Sequence, residues 1–124
     1  MNIQELKERL QLLLEQHVIT KKAYATTLDS YEFLLRYLER DFADHAEMLF
    51  THLPMALTRI ENGEDVASPT DDIMLDVRNS PFYPIAQEHV AFIEQRWEAP
   101  LPKGEKDFLY LHYTTVITMN TGGE

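Results

Sequence analysis

Cysteine is absent from the 124 residues, which excludes disulfides, thiolate metal sites and cysteine nucleophiles together and fits a reducing cytoplasm. Glycine occurs only four times, and the chain has no phosphate-cradling glycine loop, no Gly-x-Ser-x-Gly turn and no zinc-protease helix motif. No segment approaches the roughly 18 uninterrupted apolar residues of a membrane span. The opening MNIQELKERL is charged and periodic, unlike a secretory leader. A cytoplasmic protein with no membrane association is expected. Positive charge is also scarce, with 11 Lys plus Arg against 21 Asp plus Glu and a formal net charge of -10. That balance repels phosphate backbones, so direct nucleic-acid binding by this chain is not expected.

What the chain does have is helical periodicity. Hydrophobic residues make up 44% and charged residues 26%, the usage of an ordinary folded domain rather than a disordered chain. The length suits a single domain, expected over residues 1–119, with a flexible tail over 120–124 that contains two glycines. From Asn2 to Gln16 the positions Ile3, Leu6, Leu10, Leu13 and Leu14 keep a helical spacing, with His17 at the end as a capping residue. Thr20 reads as the N-cap of a second helix with Tyr24, Leu28, Tyr31, Leu35 and Leu38 inward. A bend over Glu39 to Asp41 would join it to a third helix. Ser68 and Pro69 mark the start of a short helix reaching about Arg78. Beyond the turn cluster Asn79, Ser80, Pro81 and Pro84, one helix runs to Trp97 and a last one opens at Glu105. No strand alternation or internal repeat appears. The expected fold class is all-α, a compact bundle of five or six helices.

The third helix, read from Phe42 to the capping glycine Gly63, carries the chemistry. A step of seven residues returns to nearly the same azimuth, so His45, His52 and Arg59 form one polar column inlaid between apolar ones. Pro54 predicts a kink or break just after His52. The last helix repeats the pattern, with Glu105 and His112 seven apart and Phe108, Leu109, Thr115 and Val116 around them. Three uses of such histidines follow from their chemistry. A neutral imidazole can accept a phosphoryl group if one ring nitrogen is reachable and the other is held by a hydrogen bond. His45, His52 and Asp41 could bind a metal, although the Glu-x-x-His signature of di-metal bundles occurs at none of the five histidines. The third use is structural, each ring bonded to a buried partner. Enzymatic catalysis is not expected, since carboxylate pairs such as Asp71 and Asp72 lie in polar surroundings. No cofactor or metal is expected.

The two histidine helices and their separation resemble the PTS regulation domain (PRD), the histidine-containing helical module of bacterial antiterminators and activators controlled by the sugar phosphotransferase system. The first family motif is a histidine, an apolar stretch, an arginine seven residues on and a glycine four further, matched by His52, Leu53, Met55, Ala56, Leu57, Arg59 and Gly63. The second is a glutamate seven residues before a histidine, matched by Glu105, Phe108, Leu109, Leu111 and His112. Tyr83 with Pro84, Ile93 with Glu94 and Leu101 with Pro102 also fall where the family places them. The resemblance implies a bundle of about five helices that commonly dimerises and acts in transcription regulation. By carry-over, His52 and His112 become phosphoryl acceptors, Arg59 a partner of the phosphate or a carboxylate, and Glu105 an orienter. The family usually has aspartate before the first histidine, whereas this chain has Thr51, which can hydrogen-bond but supplies no negative charge. The implied partners are a histidine phosphocarrier or another phosphotransferase protein as donor, a second copy of the chain, and a regulatory target. The alternatives are a helical protein-binding or dimerisation module that has lost phosphorylation, and a metal-binding helical bundle.

Overall fold

The computed structural model describes residues 1–121. Six helices follow one another: α1 (Ile3–Glu15), α2 (Lys21–Leu38), α3 (Glu47–Glu61), α4 (Asp71–Arg78), α5 (Tyr83–Trp97) and α6 (Lys103–Asn120). No strand occurs among the described residues, in agreement with the all-α expectation. α2 packs against α1, α3 and α5, while α6 lies against α3, α4 and α5.

Local chemistry sets most helix ends. The Asn2 side chain accepts from the Glu5 amide at the start of α1, and the Thr20 hydroxyl accepts from the Ala23 amide at the start of α2. Pro84 stands in the first turn of α5, where its missing N–H costs no helical bond. Gly63 follows α3 with φ 75°, a left-handed conformation that L side chains avoid. The short helix differs from expectation at its entry. Thr70, not Ser68, takes the N-cap position of α4, and Pro69 stays outside the helix. His17 lies just beyond the C-cap Gln16, itself left-handed with φ 60°.

The core cluster is built from α1, α2, α3, α5 and α6, and the buried Met74 and Val77 of α4 lie outside it. Tyr31, Phe50 and Tyr113 form an aromatic ladder through its centre, Phe50 meeting Tyr31 edge-on at 4.8 Å and Tyr113 at 6.3 Å between ring centroids. α2 is rotated relative to the face expected from its large apolar residues. Its buried positions are Ala23, Thr26, Thr27, Ser30, Tyr31 and Leu34, and Tyr24, Leu28, Leu35 and Leu38 sit half-buried on the flank. A helix enclosed by three neighbours needs small residues where the axes approach, and that requirement overrides hydrophobic size.

Two expectations about the central stretch are corrected. α3 starts at Glu47, not at Phe42, and residues 39–46 form an irregular link rather than a bend. Glu39 ends α2 in a left-handed conformation, Phe42 bridges to Asn2, and the Ala43 amide donates to the Met1 carbonyl. Asn120, at the end of α6, fastens the same link: its side chain accepts from the Asp44 amide at 2.8 Å and donates to the Asp44 carbonyl at 2.8 Å. These tertiary bonds replace helical ones. Pro54, expected to kink or break the helix, does not break it and lies buried inside α3. Leu49, Phe50 and Leu53 before it and Ala56 and Leu57 after it are all buried, so packing on both sides holds the helix through the missing bond. Of the segment expected to be a loose tail, Asn120 is thus an ordered anchor, and residues 122–124 lie outside the described residues.

Candidate functional site

Because α3 and α6 face each other, their two polar columns meet. Arg59 lies opposite Glu105 and His52 opposite His112, so the helices run antiparallel with their seven-residue columns in register. The Arg59 guanidinium donates through Nη2 to Glu105 Oε2 at 3.2 Å and Oε1 at 3.4 Å. His52 Nε2 lies 3.6 Å from Glu105 Oε1, just beyond hydrogen-bond reach. The rings of His52 and His112 are 5.2 Å apart at 44°, and the Phe108 ring lies 6.0 Å from His52. Glu105 is the hub of the site. Its side chain is 1% exposed, against 23% for His52 and 30% for Arg59.

His45 does not belong to this arrangement. With φ 57° it sits in the link before α3, exposed, and the seven-residue column begins at His52. No group of three or more metal-ligating side chains occurs among the described residues, so His45, His52 and Asp41 do not form the ligand set that the sequence left open. Thr51 is exposed and lines an open depression with Glu47, Met48 and His52, on the side of His52 away from the core.

The electrostatics favour the neutral form of both rings. Burial lowers the His52 pKa below its ordinary value, and the nearby Arg59 charge lowers it further. His112 is lowered by burial and then by His52. His52 Nε2 and Arg59 Nε are buried without a hydrogen-bond partner, two polar atoms turned into the site with unused capacity. A third histidine, His89 on α5, is buried elsewhere. Its Nδ1 donates to the Ile85 carbonyl at 2.8 Å, its ring packs against Phe33, Tyr37 and Tyr113, and burial lowers its pKa as well.

These three shifts have one sign. An unfolded histidine binds its proton near 6.5, whereas the folded rings resist protonation, so the unfolded state holds more protons as pH falls through that value. Stability should therefore be full above about pH 7 and decline progressively below it. Urea denaturation at a series of pH values checks this, and equal midpoints at pH 7.5 and pH 5.5 would contradict it.

One contributor to the site carries no signal in the sequence motifs. The segment after α3 folds back over the start of α6, where Gly104 is buried beneath the Val66 backbone. A Cβ at Gly104 would fall on the Val66 carbonyl oxygen, so only glycine lets the segment cross there. The neighbouring Asp107, bonded to Lys103 at 2.7 Å, anchors the same end of α6. Its carboxyl is buried, which opposes ionisation, but the Lys103 and Ser68 hydrogen bonds prevail and lower its pKa. Gly104→Ala should force the segment off the start of α6 and cost about 2 kcal/mol. Thermal denaturation measures the loss, and an unchanged melting temperature would show that the crossing yields easily.

No curated protein and no solved structure gives a significant match to the chain. The family model for the PRD domain, however, matches residues 30–116, a span that includes His52, His112 and the Glu105–Arg59 pair. With that match covering well over half of its 124 residues, the chain belongs to the PRD domain family.

Proposed function

We propose that this domain is a regulatory module of the sugar phosphotransferase type, that His52 and His112 accept phosphoryl groups, and that phosphorylation alters its association with a second copy or a regulatory target. The observation that carries the reading is the meeting of two imidazoles from α3 and α6 beside the Glu105–Arg59 pair. The reading makes it a switch rather than an enzyme.

In this reading each residue has a role. Glu105 faces His52 Nε2, so it favours the tautomer with the hydrogen on that nitrogen and leaves the lone pair on Nδ1. Nδ1 is then the acceptor. The phosphorus–nitrogen bond of a donor phosphohistidine breaks, its electron pair stays with the donor ring, and a new phosphorus–nitrogen bond forms at His52. The Nε2 hydrogen remains against Glu105, whose charge stabilises the electron-poor ring that results. Arg59, held by the same carboxylate, supplies the positive charge nearest the incoming group. An added charge of about -2 at a half-buried seam then biases how the surface beside α3 and α6 packs against a partner.

Incubation with phosphoenolpyruvate, the first phosphotransferase enzyme and its histidine phosphocarrier should add acid-labile phosphate, and sedimentation velocity before and after should show a changed association state. Identical sedimentation of the two forms, alone and with candidate targets, would remove the regulatory part of the reading. The exposed Thr51 in place of an acidic residue favours a second reading, a protein-binding module without phosphorylation. It predicts that no donor labels the chain.

A further inference from the structure

The two acceptor rings are too close, and too poorly supplied with positive charge, to act independently. Their centroids are 5.2 Å apart, and each stands in the immediate surroundings of the other. The charged groups facing the pair are few. Among the described residues, Arg59 and Glu47 come from α3 and Glu105 from α6. Arg59 is the single cation of this set, and it is already shared with Glu105. A phosphoryl group carries about -1.5 to -2 charges near neutral pH. Two of them would place about -3 to -4 against one guanidinium, within a chain whose formal net charge is already -10.

We infer that the His52–His112 pair is a single-occupancy site, in which either imidazole takes the phosphoryl group and the other becomes its protonated partner. The inference rests on the phosphorylation reading above and adds its stoichiometry. The step balances simply. One phosphorus–nitrogen bond forms at one ring, one breaks in the donor phosphohistidine, and the second ring takes a proton from solvent. That proton matters twice. An imidazolium beside the new phosphate supplies a charge-assisted hydrogen bond that Arg59 alone does not provide. It also occupies the lone pair the second ring would need to attack another donor. The first phosphorylation thus closes the second acceptor, and transfer to it is expected to be slower by at least about a hundredfold.

Intact-mass measurement on the whole chain, treated with saturating phosphoenolpyruvate, first enzyme and phosphocarrier, counts the groups. Wild type should gain one phosphoryl group per chain, and fragmentation should find it divided between His52 and His112. His52→Gln and His112→Gln should each still gain one. Two groups on wild type would overturn single occupancy and leave the phosphorylation reading standing. One group confined to one histidine in wild type, with the corresponding Gln variant unlabelled, would also overturn it, because there would be no second acceptor to exclude. No group on wild type, with another PRD protein labelled by the same donors, would overturn the phosphorylation reading and this inference with it. The fragmentation result decides between these outcomes even if a Gln variant fails to fold.

Discussion

Phe50→Ala is expected to lower the stability of the domain by about 4 kcal/mol and its melting temperature by about 15 °C. Phe50 stands between Tyr31 of α2 and Tyr113 of α6, edge-on to both, and is 2% exposed. Truncation removes the ring's burial and both aromatic contacts, and leaves a cavity that three separate helices cannot close without losing their other contacts. A domain of this size has about 5–15 kcal/mol to lose, so the variant should approach the limit of folding. Urea denaturation measures the effect. A loss under about 1 kcal/mol would mean that the centre of the bundle is loosely packed.

Glu105→Ala should act on both stability and chemistry. The carboxylate is 1% exposed, and its removal leaves the Arg59 guanidinium without its partner and His52 Nε2 without a facing anion. Breaking such a pair costs about 3 kcal/mol, the low end for buried pairs because Arg59 keeps contact with water. The chemical effect is separable from the loss of fold. With Glu105 gone, nothing holds the His52 hydrogen on Nε2, so phosphoryl transfer to His52 should slow by about tenfold or more, whereas transfer to His112 should be spared. Glu105→Gln, which retains the shape, should recover most of the stability and less of the transfer rate. Equal rates at His52 in wild type and in Glu105→Ala would remove Glu105 from the mechanism and leave it a purely structural anchor.

The helices were legible wherever a single face is buried. The spacing of Leu6 and Leu10 gave α1, and the run from Ile85 to Trp97 gave α5 with its Pro84 entry. The two seven-residue columns gave Glu105 with His112 and His52 with Arg59, because a shared azimuth is a property of one helix and needs no tertiary knowledge. What the sequence did not contain is how columns on different helices pair. That depends on the antiparallel seating of α3 on α6, and only there does Arg59 find Glu105.

The failures have the same origin. The stretch from Phe42 to Ala46 has helical periodicity, but Asn2, Met1 and Asn120, distant in sequence, bind its backbone and pull it out of helical geometry. His45 lost its place in the column for that reason. Pro54 was read from local stereochemistry, and the buried residues on either side of it outweighed the missing hydrogen bond. Gly104 belongs to none of the motifs, and its use is to let the backbone of Val66 pass close above the start of α6.

Labelling with donor components tests the central claim most directly. Wild-type protein and the His52→Gln/His112→Gln double variant would be incubated with labelled phosphoenolpyruvate, the first phosphotransferase enzyme and the phosphocarrier. Acid-labile label on wild type and none on the folded double variant is the predicted result. An unlabelled wild type, or equal labelling of both proteins, would contradict the account.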